Sequence, residues 1–301
     1  MTKSRHFKDL FMNLFGRKIV PVTIIIIFWW GIFLPVDSGS TEKTLFTVQK
    51  GEDVFGIGRD LESQRLVKSQ WLFDLAVYLQ LGQNRLQAGN YYLGPNLNVW
   101  KMTQKIITGD VAKETITIPE GWNLAEINSY LKGKNLFIDD PNLEGYLFPD
   151  TYEIKVGEGV EVLIGMMRKN FEQKLTPELR REIARQGKAL NEIIIMASLL
   201  EEELKTKEDK ELASDILWRR LAIGMRLQVD ASSKYGADYD TYKYAGLPPG
   251  AITNPGLESI VATIYPRKND SWYYLSTPEG ETIFSQTLEQ HNVAVAKYLR
   301  R

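Results

Sequence analysis

The sequence predicts an α+β fold, and three observations predict it. The body alternates short strand-like runs with amphipathic helical runs. A strand, glycine turn and helix phrase occurs twice in its first half. A strongly apolar helix carrying three consecutive glutamates then opens a second, motif-rich half. Ahead of all this stands one uncharged apolar run.

That run, Ile19 to Val36 (IVPVTIIIIFWWGIFLPV), holds 18 residues without a charge. As a helix it reaches about 27 Å, close to the apolar thickness of a bilayer. Lys3, Arg5, Lys8, Arg17 and Lys18 precede it against a single Asp9, whereas Asp37 and Glu42 come before the first lysine beyond it, Lys43. The asymmetry assigns residues 1–18 to a cytoplasmic tail, 19–36 to a single transmembrane helix, and the body to the periplasmic side of the inner membrane. A cleaved signal peptide is the rival reading, with Ser38, Gly39 and Ser40 small enough for processing. The run exceeds the usual signal core, which favours a retained anchor. The nine or so residues between Val36 and Phe46 form a tether of at most roughly 32 Å.

Composition narrows the rest. About 260 residues remain, enough for one large domain or two ordinary ones with a core needing no staples. There is no cysteine, so disulfides and thiolate chemistry are excluded. With 37 basic and 38 acidic residues and no basic face, nothing points to a nucleic-acid partner. His6 and His291 are the only histidines, too few for a multi-histidine metal site. No metal or organic cofactor is implied.

In chain order, LFTVQKGEDVFGIGRDL reads as strand, turn at Gly51 and helix. QWLFDLAVYLQL places Trp71, Leu72, Leu75, Ala76 and Leu79 at helical spacing. AGNYYLGPNLN is a tyrosine-rich strand with a Gly-Pro turn, and VWKMTQKIITGD a helix ending near Gly109. The phrase returns in ETITIPEGWNLAEINSYLKGKNL, where Asn123 and Glu126 make a capping pair. FTVQKGEDVFGIGRDL followed by QAGNYYLG resembles LysM, a module that binds N-acetylglucosamine polymers. The resemblance outlines a subdomain over 43–112, with a plain α+β spacer as the alternative.

Chemistry concentrates beyond Glu144. EGYLFPDTYEI (Glu144 to Ile154) packs aromatics, a Pro-Asp turn and carboxylates together; Tyr146, Phe148 and Tyr152 are either sugar platforms or core. ALNEIIIMASLLEEELKT (Ala189 to Thr206) is the glutamate-bearing helix. At about 100° per residue, Leu190, Ile193, Ile194, Ala197, Leu200 and Leu204 form an apolar stripe. Glu201 falls on that stripe, while Glu202 and Glu203 project to either side, Glu203 toward a solvated or supporting place. A carboxyl among apolar neighbours is expected to have a raised pKa, as a general acid requires.

The segments EGYLFPDTYEI, ASLLEEE, RLAIGMRLQVD, YAGLPPGAITNPG and HNVAVAKYL resemble, in order, the endolytic murein transglycosylases, the YceG-like family. The resemblance implies an α+β catalytic domain over 113–301. It implies that Glu201, following Ala197, Ser198, Leu199 and Leu200, is the catalytic acid and base. It assigns Gln228 and Asp230 of the LQ-D phrase, with Asn254 of the NPG turn, to holding the sugar or orienting Glu201. The resemblance also implies that Glu144 and Asp150 shape the cleft and contact substrate. Three departures stand out: Tyr239-Asp240-Thr241-Tyr242 replaces the family's YNTY, Ala-Ser-Ser follows Asp230 in place of Pro-Thr, and the segment from Tyr235 to the GLPPG loop is short. Asp240 therefore brings a carboxylate where the family has an amide, and is counted among the expected substrate contacts. The implied substrate is peptidoglycan glycan, cut between N-acetylmuramic acid and N-acetylglucosamine to leave 1,6-anhydro ends. Implied partners are glycan strands near the membrane and the synthases that polymerise them. Two rivals remain: a muramidase-type hydrolase using Asp230 or Asp240 to activate water, and a non-catalytic cell-wall scaffold.

Overall fold

The structure, a computed structural model, describes residues 29–299. The expected cytoplasmic tail, and residues 19–28 of the expected transmembrane helix, lie outside the described residues. Among the described residues no helix is long and apolar enough to cross a membrane. The fold is mixed α and β, in two compact units.

The first unit comprises the described chain up to Glu114 together with Lys155–Gly157. Its order is strand, helix, helix, strand, helix: β1 (Thr44–Val48), α1 (Val54–Ser63), α2 (Gln70–Leu79), β2 (Gly89–Leu93) and α3 (Val99–Thr108). β1 and β2 pair antiparallel, with Thr44 opposite Leu93 and Val48 opposite Gly89. Asp53 starts α1 by accepting the Gly56 N–H, and Asn98 starts α3 by accepting that of Lys101. Gly109, left-handed at φ 70°, closes α3. Phe46, Ile57, Leu61, Phe73, Tyr91 and Met102 are fully enclosed between sheet and helices.

The end of the apolar run is part of this core. Residues 29–33 are helical, Ile32 is buried, and the Phe33 ring stacks between Trp29 (4.5 Å) and Trp100 (5.4 Å). Asn98 Nδ2 donates to the Phe33 carbonyl at 3.1 Å, and the Asp37 N–H to the Pro95 carbonyl at 2.9 Å. The free tether expected from Val36 to Phe46 is therefore corrected. Burial of Ile32 and the aromatic stack fix the chain before that segment begins, so it cannot extend as a leash.

The second unit comprises Thr115–Ile154 and Glu158 onward. β3 (Lys113–Thr117) pairs with β4 (Thr151–Lys155), and α4 (Leu124–Lys132) opens with the expected Asn123–Glu126 capping box. Then follow α5 (Val160–Lys174), α6 (Pro177–Arg185), α7 (Leu190–Glu203), α8 (Lys207–Ala222), α9 (Leu257–Ile264), the antiparallel hairpin β5 (Tyr273–Ser276) and β6 (Thr282–Ser285), and α10 (Leu288–Tyr298). α7 is the central element. Its Ile193, Ile194 and Ala197 join a core with Phe148, Phe171 and Ile260. Its Met196, Leu199, Leu200 and Leu204 join another with Ala213, Leu217, Leu227 and Ile252. Every residue from Ile193 to Leu200 is buried, so the helix is enclosed all round and not along the single stripe the wheel drew.

Candidate active site

The candidate site is built where α7 emerges from the core. Ser198, fully buried, donates its hydroxyl to the Ile195 carbonyl and accepts the Ile252 N–H at 3.1 Å. That bond ties the Ala251–Gly256 loop to the helix. One turn further on, Glu201 Oε2 accepts the Gly256 N–H at 2.9 Å. Glu201 Oε1 accepts from Lys210 Nζ of α8 at 3.1 Å, and the two side chains are only 9% and 4% exposed. Lys210 Nζ also lies 3.6 Å from Glu258 Oε1 in the first turn of α9. The carboxyl expected to face only apolar neighbours is thus held by an ammonium and a backbone N–H.

A second turn meets the first. The Gly121 N–H donates to the Asn254 carbonyl and the Asn254 N–H to the Trp122 carbonyl, both at 3.0 Å. Gly121 is left-handed (φ 80°), and a Cβ there would lie 3.6 Å from Glu201 Cγ. A Cβ on Gly256 would fall 2.1 Å from Glu120 Cδ, so a side chain there would make the Glu120 carboxyl move aside. Burial, reinforced by the charge of Glu201, pushes the Glu120 carboxyl up from its ordinary value.

Asn254 joins these turns. It is 1% exposed and uses all four of its hydrogen-bonding positions. Nδ2 donates to the Trp122 carbonyl (3.0 Å) and to Glu144 Oε1 (2.9 Å); Oδ1 accepts from the N–H groups of Gly145 (2.9 Å) and Leu147 (3.0 Å). Glu144 Oε2 accepts the Leu124 N–H at the start of α4 (2.9 Å). Burial pushes the Glu144 carboxyl up to about 7 against these donors. Asn254 and Glu144 therefore shape the site from beneath; the capacity of Asn254 is spent on the protein, leaving none for a sugar.

The other sequence-derived residues fall elsewhere. Asp150 receives the Thr151 N–H and the Asn170 amide at the start of β4, and these bonds hold its carboxyl below the ordinary value. Phe148 and Tyr152 are core, and Tyr146 packs edge-on against Phe171 at 5.4 Å. The sugar-platform alternative for Phe148 and Tyr152 gives way to the core one, since both rings are buried and Lys174 Nζ lies 5.2 Å over the Phe148 ring.

Gln228 and Asp230 line a cavity of about 360 Å³ together with Glu203, Tyr242, Tyr274 and His291. Asp230 accepts from the Tyr242 hydroxyl, and Glu203 Oε1 accepts the Ala231 N–H at 2.7 Å. Of the solvated and supporting places expected for Glu203, the structure gives the supporting one: it forms part of a wall, and burial raises its pKa. Gln228 is left-handed at φ 54°, and its N–H reaches the Thr241 carbonyl at 3.2 Å. Asp240 caps the turn, accepting the Tyr242 N–H at 3.0 Å and meeting Lys243 Nζ at 3.2 Å, which explains a carboxylate at that position. Arg220 supports the cavity with its guanidinium on the Leu227 and Trp272 carbonyls. The Tyr274 hydroxyl and His291 Nδ1 are buried here with no hydrogen-bond partner among the described residues.

Lys210, Glu120, Glu258 and Gly256 were not singled out in the sequence. The glycine turn PEGW and the lysine early in α8 were the available signals, but their convergence on Glu201 is long-range. Among the described residues no group of three or more His, Asp or Glu is arranged to hold a metal ion.

Comparison with known proteins follows this geometry. Residues 46–297 match the YceG-like family. The chain is 28% identical to the endolytic murein transglycosylase of Bacillus subtilis, over 88% of this chain and 87% of that protein. It is 27% identical to that of Streptococcus pneumoniae, over 88% of this chain and 60% of the relative. A crystal structure of a YceG-like protein from Listeria monocytogenes superposes with a TM-score of 0.54 at 29% identity, covering 85% of this chain and all of that one. The chain belongs to the YceG-like family.

Proposed function

We propose that this protein is an endolytic peptidoglycan lytic transglycosylase in which Glu201 serves as the single acid and base. The observation that carries the assignment is the placement of Glu201: a buried carboxyl at the exit of α7, gripped by the Gly256 N–H and the Lys210 ammonium. The reaction needs one such group. A protonated Glu201 gives its proton to the glycosidic oxygen as the bond to the muramyl C1 breaks. The resulting carboxylate then takes the proton of the muramyl 6-hydroxyl as O6 bonds to C1, closing the 1,6-anhydro ring. No water is consumed, and no second carboxylate is needed as nucleophile.

Substrate contacts are assigned to the cavity lined by Gln228 and Asp230. The unpartnered Tyr274 hydroxyl and His291 nitrogen support a polar occupant there. The uncharged run Ile19 to Val36 supports an inner-membrane anchor, and the burial of Ile32 within it supports a first unit held close to the membrane. In this reading the LysM-like unit stays beside newly made glycan and its synthases. Mass spectrometry of products from purified uncrosslinked glycan is the test. Anhydro-muramyl ends support the transglycosylase, reducing ends the hydrolase, and glycan binding without cleavage the scaffold.

One observation favours a second assignment within the same reaction. Glu203 lines the cavity and has a pKa raised by burial, as a proton donor would. Glu201→Gln and Glu203→Gln separate the two.

A further inference from the structure

We propose that Lys210 is a positioning residue for Glu201, holding its carboxylate in place and stabilising the base form that closes the anhydro ring. The inference rests on the assignment of Glu201 as acid and base. Lys210 is 3% exposed, and burying an ammonium is costly unless it is paired. Its side-chain partners are Glu201 Oε1 at 3.1 Å and Glu258 Oε1 at 3.6 Å. It stands in the first turns of α8, nine residues beyond Glu201, after the chain has left α7 at Leu204. The pair therefore bridges two helices and fixes one carboxyl oxygen, while the Gly256 N–H fixes the other.

The charges around Glu201 make such a partner necessary. Glu120 faces it from the turn before α4, Glu258 from α9, and Glu202 is its neighbour on α7. Lys174 of α5 acts on Glu120, and Lys234 on Glu202. Against these carboxylates, Lys210 is the cation in contact with Glu201. A catalytic carboxyl in an acidic, poorly hydrated nest binds its proton too tightly to return as a carboxylate in the second half of the reaction. A contacting ammonium offsets that by favouring the ionised form.

The test is the pH profile of kcat/KM for full-length protein on purified uncrosslinked glycan. Glu201 must start protonated, so activity falls on the alkaline side as it ionises. Lys210→Met removes a contacting positive charge, so this limb should move to higher pH by about 1–3 units, with kcat falling more than KM rises. Lys210→Arg should keep the limb near its original position. Glu258→Gln removes a like charge at the partly exposed end of the network and should move the limb to lower pH. An unmoved limb in Lys210→Met overturns the proposal; should that variant not fold, an unmoved limb in Glu258→Gln does so. A wild type that cuts nothing overturns the transglycosylase reading, and this proposal with it. A wild type that cuts beside an unmoved variant limb overturns this proposal alone.

Discussion

Glu201 and Glu203 stand two residues apart on the same turn of α7, yet the protein treats them differently. Glu201 is clasped by a cation from α8 and an N–H from the NPG turn. Glu203 holds one N–H, from Ala231, and borders a cavity of about 360 Å³ with Gln228, Asp230 and Tyr242. About 200° of helix rotation separates them, enough to aim them into different neighbourhoods. The contrast teaches that residue type decides little here. The clasp suits a group that must both give up and regain a proton, whereas the wall position suits a group that frames a ligand.

Substitution should expose that contrast most strongly at Glu201. Glu201→Gln keeps the Gly256 bond through its amide oxygen but cannot transfer a proton, so kcat should fall about 10²–10⁴-fold. Single-turnover cleavage of labelled glycan measures it. The loop that delivers Gly256 comes next. Asn254→Ala deletes four side-chain hydrogen bonds, two of them fully buried, and strands Glu144 with the Gly145 and Leu147 N–H groups, a loss of about 2–4 kcal/mol by denaturant unfolding.

Glu144 gives the same region a pH signature. Its folded pKa of about 7 lies above the ordinary 4.5, so the folded state binds the proton more tightly. Its contribution is fully present below about 4.5 and is lost as pH rises through 7, by up to about 3 kcal/mol. Chemical denaturation of wild type and Glu144→Gln at pH 5 and 8 should show the greater loss in the wild type. The smallest effect is expected at Glu203. Glu203→Gln retains an acceptor for the Ala231 N–H and should lower kcat/KM by about tenfold, mainly through KM.

Much of this arrangement was legible in the sequence because its signals are local. The Asn123–Glu126 capping box, the end of α3 at Gly109 and the apolar run of α7 each depend on neighbours a few residues away. The YceG-like phrases marked the segments that meet, including the NPG turn. What stayed hidden was convergence. Nothing local says that Lys210 turns back toward α7, that Glu120 abuts Gly256, or that Asn254 spends its amide on the protein. The wheel also drew one stripe on a helix enclosed by two cores, which is why it left Glu203 between solvent and a supporting place. Ile32 shows the same limit, because a membrane-like run can finish as part of a domain core.

The central claim, that Glu201 and not Glu203 carries the proton, rests most directly on one measurement. Anhydro-muramyl ends released per minute from uncrosslinked glycan are to be counted for wild type, Glu201→Gln, Glu203→Gln and the double variant at one pH. The account predicts ends from wild type and Glu203→Gln, none above background from Glu201→Gln, and a double variant no worse than Glu201→Gln. Anhydro ends from Glu201→Gln at near wild-type rate, with Glu203→Gln silent, would contradict it.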